Sequence, residues 1–362
     1  MSADETAEPT LTGWRMWLAG ARPRTLPAAI VPVLVGTAVA AGIGWWGGFG
    51  DGGWFVYDPT GAYTGELGLA SGSDLLKGIS LWKMVAAMVV ALAIQIGTNY
   101  ANDYSDGKRG TDDPGQRVGP PRLVGWGLAP AKHVKIAAFA SFGVAGVAGL
   151  ALAAATTWWL IPVGIVCFLA GWFYTGGPKP YGYAGLGEMF VFVFFGLVAT
   201  VGSAYIQTSK LGGIGFWEPR ENPLSASVLP RSITGYPIVL WGSAVAIGCL
   251  ASALLVINNL RDIPSDTLSG KRTLAVKLGD KRTRILYIVL MYLPFFLVPI
   301  ACGLGGRPLG AASLFAVVTV VKPMKAVISG ATGRDLVPVL GQTGRVQLIF
   351  GLLLSAGLFL SA

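Results

Sequence analysis

The chain has 362 residues, of which 53% are hydrophobic and 12% are charged, and its formal net charge is +9. Soluble proteins carry about 25% charged residues, so this composition excludes an ordinary soluble domain and indicates an integral membrane protein. A charge of +9 would suggest a nucleic-acid partner in a soluble protein, but its distribution along this chain follows membrane topology instead, and we expect no nucleic acid to bind.

The first thirteen residues are acidic and polar, and they predict a flexible N-terminal tail, 1–13, before a single transmembrane domain over 14–362. They lack the basic region and the cleavage site of a signal peptide. Trp14, Trp17 and Leu18, with Arg15 among them, predict a short helix lying at the membrane surface.

Nine apolar segments follow that are long enough to cross a bilayer, which takes roughly 20 apolar residues. They lie at Leu26–Trp46, Trp82–Thr98, Val134–Ala154, Trp158–Tyr174, Ala184–Ile206, Pro237–Ile257, Ile285–Leu304, Leu309–Ile328 and Val346–Leu360. The second and fourth segments are short. The predicted fold is therefore an all-α integral membrane bundle of nine transmembrane helices.

The basic residues predict the orientation of these spans. With the N-terminus in the cytoplasm, 21 of the 27 Lys and Arg residues fall on the inner side and 6 on the outer side. The positive-inside rule demands a bias of this sign. The glycine-rich stretch Gly47–Ser80 then falls outside as a flexible loop, and its role stays open.

Two aspartate-rich loops stand out in a chain that otherwise avoids charge. The first, Asn99–Asp106, follows the second span, and the second, Asn258–Asp266, follows the sixth. Four spans separate them, so both fall on the cytoplasmic side, where they would cap a central cavity. Their shared Asn-x-x-x-Asp core suggests two parallel four-helix repeats plus a ninth helix.

Both loops place one Asn and two Asp residues along one face if the preceding helix continues past the membrane edge. Pro264 complicates the second loop and predicts a kink or a restart of the helix there. Carboxylates mixed with cations at a membrane edge suggest Mg²⁺ bridged to a polyphosphate. The candidate metal ligands are Asn99, Asp103, Asp106, Asn258, Asp262 and Asp266.

Nearby basic residues are candidates for contacts with the oxygens of a diphosphate. They are Lys108, Arg117, Arg122, Lys179, Arg261 and Lys271. Metals and cations that neutralise a leaving diphosphate are what ionisation of an allylic diphosphate needs. The resulting carbocation would need aromatic faces, for which Tyr100, Tyr104, Tyr174, Tyr181, Tyr183 and Phe190 are candidates.

At these residues the chain resembles the membrane-intrinsic aromatic prenyltransferase (UbiA-type) superfamily and, within it, the 1,4-dihydroxy-2-naphthoate polyprenyltransferases of menaquinone biosynthesis. Nine transmembrane helices and two aspartate motifs are typical of that superfamily. The matching segments are Ala21–Pro27, Asn99–Tyr104, Tyr174–Tyr183, Gly185–Gly187, Asn258–Asp262 and Gly270–Leu274.

The resemblance implies that Asp103 and Asp262 are catalytic Mg²⁺ ligands together with Asp106 and Asp266, and that Asn99 and Asn258 assist them. It implies a role on the substrate side for Lys179 and Tyr181. Gly110 stands where many members carry another aspartate, so Asp112 or Asp113 is the candidate replacement.

The implied reaction joins a polyprenyl diphosphate to 1,4-dihydroxy-2-naphthoate with loss of diphosphate and CO₂, and it gives demethylmenaquinone. Arg22 and Arg24 are candidates for binding the acceptor carboxylate, although anchoring at the membrane edge explains them equally well. The resemblance places the enzyme in a bacterial cytoplasmic membrane, with the isoprenoid tail open to lipid.

Two alternatives remain open at this point. A related prenyltransferase acting on 4-hydroxybenzoate, homogentisate or haem would keep both aspartate motifs. A cation-coupled transporter would need ionisable residues within the spans, where Glu188 is the main example.

Overall fold

The computed structural model describes residues 12–41, 79–111, 121–208 and 235–362, and the regular structure in these ranges is helical. We number the helices α1 (Trp14–Ala21), α2 (Pro27–Ala40), α3 (Leu81–Lys108), α4 (Ala131–Ala155), α5 (Leu160–Phe173), α6 (Gly187–Thr208), α7 (Tyr236–Leu268), α8 (Leu274–Leu304), α9 (Val321–Ile328) and α10 (Leu336–Leu360). Within α6, Phe192–Val198 forms a π-helical segment, and short 3₁₀ helices lie at Pro23–Thr25, Tyr181–Ala184, Pro308–Thr319 and Gly333–Asp335.

Six helices in the described ranges are long and apolar enough to cross a membrane, namely α3, α4, α6, α7, α8 and α10. The number rises to eight if two bent pairs each count as one span: Trp14–Thr25 with α2, bent by 53°, and Pro308–Thr319 with α9, bent by 46°. The chain is thus an all-helical, multi-pass membrane protein, as predicted.

The additional span needed for the predicted count of nine corresponds to α5, which occupies the position of the fourth predicted segment and has only 14 residues. A helix of that length measures about 21 Å, which is less than the roughly 30 Å of a bilayer core. Nine spans, the two repeats, the orientation and the single domain over 14–362 therefore stay predictions. The proposed outer loop lies almost wholly outside the described residues, as does most of the N-terminal tail.

The centre of the bundle is α7, most of whose residues are buried against α2, α6, α8 and α10. Large apolar side chains on the periphery point outward instead. Val147, Phe296, Phe315 and Val318 are between 68% and 76% exposed. Apolar surface on this scale is stable in contact with lipid rather than water, in keeping with a bundle that lies in a membrane.

Both aspartate motifs lie on helices, so the description as loops was wrong and the considered continuation of each preceding helix is confirmed. α3 continues past the predicted end of its span at Thr98 to Lys108, and α7 continues past Ile257 to Leu268. Most polar residues of the motifs lie on these extensions and face a cavity at this end of the bundle, which we call the motif end. Here the backbone stays hydrogen-bonded while the side chains remain available.

The predicted restart of the helix at Pro264 was also wrong, because α7 runs on through this residue. Proline removes the backbone donor that would pair with the carbonyl of Leu260, and membrane helices tolerate such a loss. The hydroxyls of the following turn also bind the backbone: Ser265 donates to the carbonyl of Asp262 at 3.0 Å, and Thr267 donates to the carbonyl of Ile263 at 2.7 Å.

Buried cations cap helix ends at the opposite end of the bundle. Arg307 is 3% exposed, and its guanidinium donates to the carbonyls of Ala41 at 2.6 Å and Leu358 at 3.0 Å. Lys83 donates to the carbonyl of Ile206 at 2.8 Å. Carbonyls at helix C-termini lack intrahelical donors and carry partial negative charge, so a buried cation satisfies both needs.

Replacement of Arg307 by Met should therefore destabilise the bundle. We expect the free energy of unfolding to fall by about 2–4 kcal/mol, because two buried carbonyls lose their donor. Reversible unfolding of the full chain in detergent micelles measures this. Arg282→Met removes the same charge from an exposed position of α8 and should change stability by less than about 0.5 kcal/mol. Equal stability of the two variants would contradict the capping role.

Candidate active site

A cavity of about 900 Å³ runs into the bundle from the motif end. Its polar lining comes from the C-terminal turns of α3 and α7 and from the segments beside them, whereas its deeper lining is apolar. Along α3 the lining residues run from Asp106 back to Ala87, which spans about 28 Å of helix. This size is typical of a site for small molecules.

The two aspartate motifs meet at the polar end of this cavity. The ammonium of Lys271, which follows α7, lies 3.2 Å from Oδ2 of Asp106 on α3. The other carboxylate oxygen of Asp106 accepts a hydrogen bond from the hydroxyl of Tyr183 at 2.5 Å. Asp106 and Lys271 are both less than 10% exposed. Residues 165 positions apart thus form one buried charged cluster.

The first motif directs two amides and one carboxylate toward the cavity, which Asn99, Asn102 and Asp106 line. The side-chain amide of Asn99 donates to the carbonyl of Ala21 at 2.9 Å, and Oδ1 of Asn102 accepts from the hydroxyl of Thr175 at 2.8 Å. Neighbouring segments therefore fix the rotamers of both amides before any ligand binds.

Asp103 takes a different position from the rest of its motif, because it is 1% exposed and is not among the residues that line the cavity. Its two oxygens accept hydrogen bonds from the backbone N–H groups of Leu123, at 3.2 Å, and Val124, at 3.4 Å. Asp103 thus fastens the segment after the undescribed residues 112–120 to α3. Arg122, which precedes Leu123, lines the cavity.

The second motif carries its own counterion. The guanidinium of Arg261 binds both carboxylate oxygens of Asp262 at 2.6 Å and donates to Oδ1 of Asn258 at 2.9 Å. Asp266 accepts from the hydroxyl of Thr273 at 3.4 Å. All five residues line the cavity.

The structure separates the predicted cationic residues into two groups. Those lining the cavity are Arg22, Arg24, Arg122, Arg261 and Lys271. Lys108 and Lys179 are exposed and do not line it, and the ammonium of Lys108 lies 5.6 Å from the ring centroid of Tyr104. Arg117, Asp112 and Asp113 lie outside the described residues.

Four of the six predicted aromatic residues line the cavity: Tyr174, Tyr181, Tyr183 and Phe190. The ring of Tyr181 stacks on Phe190 with centroids 3.9 Å apart, and its hydroxyl donates to the carbonyl of Ala170 at 2.7 Å. Burial raises the pKa of Tyr181, and burial together with the Asp106 carboxylate raises the pKa of Tyr183. Both hydroxyls therefore stay protonated at neutral pH.

Sequence reasoning missed Asn102 and Asn259 as lining residues. Asn102 precedes Asp106 by four positions, so helical spacing alone could have placed the two on one face. Asn259 also lines the cavity, and its amide donates to the carboxylate of Glu188 at 2.9 Å. Glu188, the main ionisable residue within a predicted span, therefore holds the side chain of Asn259 in the cavity lining. No spacing rule pairs α6 with α7, so this contact had no sequence signal.

The donor set at the polar end fits a magnesium ion. It offers carboxylates from Asp106, Asp262 and Asp266 with neighbouring amide oxygens, and Mg²⁺ prefers such hard oxygen ligands. Among the described residues no group of three or more His, Cys, Asp or Glu side chains could close around a metal ion. A few carboxylates completed by phosphate oxygens and water are the usual arrangement for Mg²⁺, so an all-protein cage is not expected.

A family model matches most of this chain, and similar proteins match nearly all of it. The model of the UbiA prenyltransferase family matches residues 61–335. The 1,4-dihydroxy-2-naphthoate octaprenyltransferase of Mycobacterium tuberculosis is 40% identical over 96% of this chain and 98% of its own length. The protein of the same name from Escherichia coli is 31% identical over 98% of both. A UbiA homolog from Aeropyrum pernix has the same fold, with a TM-score of 0.58 at 12% identity over 93% of this chain and 96% of its own.

The distinct position of Asp103 predicts a distinct effect of its removal. In Asp103→Ala, the amides of Leu123 and Val124 lose their acceptor, and we expect their hydrogen exchange to accelerate by about tenfold or more. Exchange measured by mass spectrometry on peptides covering 121–126 reads this out. Asp106→Asn changes a carboxylate one helical turn away and should leave those peptides unaffected. Unchanged exchange in Asp103→Ala would contradict the fastening role.

Proposed function

This chain belongs to the UbiA prenyltransferase family, and we propose that it transfers a polyprenyl group from polyprenyl diphosphate to 1,4-dihydroxy-2-naphthoate. The observation that carries the proposal is the single cavity that joins both aspartate motifs at one end to an apolar interior at the other. The close relatives named as 1,4-dihydroxy-2-naphthoate octaprenyltransferases support this acceptor over other aromatic acids.

The charged cluster at the motif end would bind the diphosphate. Arg122 and Lys271 line this part of the cavity and are 8% exposed, so their charges are poorly screened by water. Guanidinium and ammonium groups hold phosphate oxygens through charge-assisted hydrogen bonds. These contacts strengthen as negative charge builds on the leaving group, which is how they would favour cleavage of the allylic C–O bond.

The proposed ligands for Mg²⁺ are Asp106, Asp262 and Asp266, with Asn99, Asn102 and Asn258 as neutral donors around them. When bound, Mg²⁺ would supply a Lewis acid that neutralises charge on the diphosphate oxygens. Asp103 would act through the position of Arg122 rather than as a ligand. The bidentate contact with Arg261 orients the carboxylate of Asp262 toward the same cavity.

The carboxylate of the acceptor would bind Arg22. Its backbone adopts the left-handed conformation (φ 55°), which is rare outside glycine, and its guanidinium lies 3.5 Å from the carbonyl of Asn99. This turn between α1 and α2 directs the side chain into the cavity. Arg24 also lines the cavity and is the second candidate.

The bond changes balance without an external base. The allylic C–O bond breaks and its electron pair leaves with diphosphate. The ring carbon that bears the carboxylate forms the new C–C bond, and loss of CO₂ returns an electron pair to the ring and restores aromaticity. The product is the prenylated naphthalenediol, from which a two-electron oxidation gives demethylmenaquinone. The stacked rings of Tyr181 and Phe190 would face the allylic cation.

The isoprenoid tail would leave the cavity sideways, between α4 and α5. Leu150, Val163 and Ile165 line the cavity and are 43–54% exposed. We infer that this wall opens to lipid, so that the cavity does not limit the length of the tail. The proposed setting is a bacterial cytoplasmic membrane with the motif end at the cytoplasmic face.

Purified protein with farnesyl diphosphate, Mg²⁺ and 1,4-dihydroxy-2-naphthoate should release CO₂ and form the prenylated diol. We expect Asp262→Asn to lower kcat by at least about 10³-fold, because it removes charge that the transition state requires. Chromatographic product analysis measures both results.

The same assay separates the acceptors. Parallel reactions with 4-hydroxybenzoate and homogentisate should give no product. Turnover of either of these with none of the naphthoate would overturn the proposed acceptor.

A side chain added at the lateral opening should discriminate donors by length. Gly164 lines the cavity beside Val163 and has free space around its Cα. We expect Gly164→Leu to lower kcat/KM for an octaprenyl donor by about tenfold more than for a geranyl donor, since only the long tail crosses the opening. Gly143→Leu, on α4 outside the cavity lining, is the matched control. Equal losses for both donors would place the exit elsewhere.

A further inference from the structure

Two of the three carboxylates that the proposed function assigns to a metal ion are already paired with cations of this chain. Asp106 is held by Lys271 at 3.2 Å, and Asp262 is held by Arg261 at 2.6 Å through both oxygens. Both cations come from the end of α7 or the residues just after it. A divalent ion entering this site therefore competes with a cation of the chain at Asp106 and at Asp262.

Lys271 is fixed by its own surroundings. Its backbone N–H donates to the carbonyl of Asp266 at 2.8 Å, and the next N–H, of Arg272, donates to the carbonyl of Tyr183 at 3.0 Å. Its ammonium lies 4.8 Å from the ring centroid of Tyr183. The same tyrosine donates to the other oxygen of Asp106. The backbone of Lys271 is therefore anchored beside Asp106, and only the side chain is free to change partner.

We propose that Lys271 competes with the divalent cation for Asp106, so that metal binds tightly only together with diphosphate. A metal ion arriving alone would leave the buried ammonium next to a like charge, with its former partner taken. A diphosphate arriving with the metal offers the ammonium a new anion within reach. Lys271 would then exchange one partner for another and never lose a counterion.

This inference rests on the proposed function and adds an order to it. The coupling is reciprocal, since a site that binds metal better with diphosphate must bind diphosphate better with metal. The exchange would keep free metal from occupying the site without a donor. It would also bring the ammonium onto the leaving group in the same event that places the metal there.

The test measures binding of Mn²⁺ alone, as a spectroscopic substitute for Mg²⁺, to the full chain in detergent. Electron paramagnetic resonance reports the free ion. We expect Lys271→Met to bind Mn²⁺ about tenfold more tightly than the wild type, because a competing buried charge is gone. Lys281→Met removes the same charge from an exposed residue of α8 and should not change the affinity.

A second arm adds farnesyl thiodiphosphate, a donor analogue that resists ionisation. In the wild type it should raise Mn²⁺ affinity by at least about tenfold beyond the metal that it complexes in solution, and in Lys271→Met the gain should be smaller. Lys271→Gln, which keeps a hydrogen-bond donor without the charge, repeats the comparison if the Met variant does not fold.

The outcomes separate this inference from the function beneath it. If Lys271→Met and Lys271→Gln bind Mn²⁺ no more tightly than the wild type does, the competition is overturned. The proposal that the protein transfers a prenyl group is unaffected by that result. No Mn²⁺ binding by any form, with or without the thiodiphosphate, would instead count against the metal site itself. The double variant Asp106→Asn with Lys271→Met should bind Mn²⁺ no more tightly than the wild type does. Tighter binding by this variant would place the competition at another carboxylate.

Discussion

The motif end depends on one electrostatic constraint: acidic side chains lie in the last turns of two helices, where the backbone already carries negative charge. A helix C-terminus is equivalent to about half an elementary negative charge. Asp106 on α3 and Asp266 on α7 add carboxylates to those ends, and Asp262 lies one turn before Asp266; all three are less than 10% exposed. Such groups are costly to bury unless cations compensate them. Arg261 compensates Asp262, and Lys271 compensates Asp106.

The same constraint explains why one cavity has a charged end and an apolar interior. The acidic residues lie where α3 and α7 end. The apolar lining comes from the apolar residues in the middle of the same helices. Along α3 alone, the lining of the cavity changes from charged at Asp106 to apolar at Ala87. A diphosphate with a long hydrocarbon chain has the same division along its length. The residues of this one helix would therefore contact both halves of the proposed donor.

Much of this arrangement could be predicted from the sequence, because hydropathy marks the spans and charge marks the motifs. Each predicted span has a corresponding element, and the family was identified from short segments such as Asn258–Asp262. Side-chain direction was harder to predict. Spacing allowed either Asn102 or Asp103 to share a face with Asp106, and only the packing of the segment at Leu123 decides between them. Lys179 illustrates the other difficulty: a loop position near the site says nothing about which way the side chain points.

Asp103 shows how a residue can belong to a motif and lie outside the cavity that its neighbours line. It lies about 60° around the helix from Asp106, since three residues at 3.6 per turn fall 60° short of a full turn. That angle turns one carboxylate toward the cavity and the other toward the amides of Leu123 and Val124. Arg122 is the neighbour of Leu123 in sequence and reaches the cavity from the segment that Asp103 holds. Loss of Asp103 would displace Arg122 from the proposed diphosphate site, so it would lower activity much as loss of a metal ligand would. Activity alone therefore does not distinguish these roles, whereas local exchange at the fastened amides does.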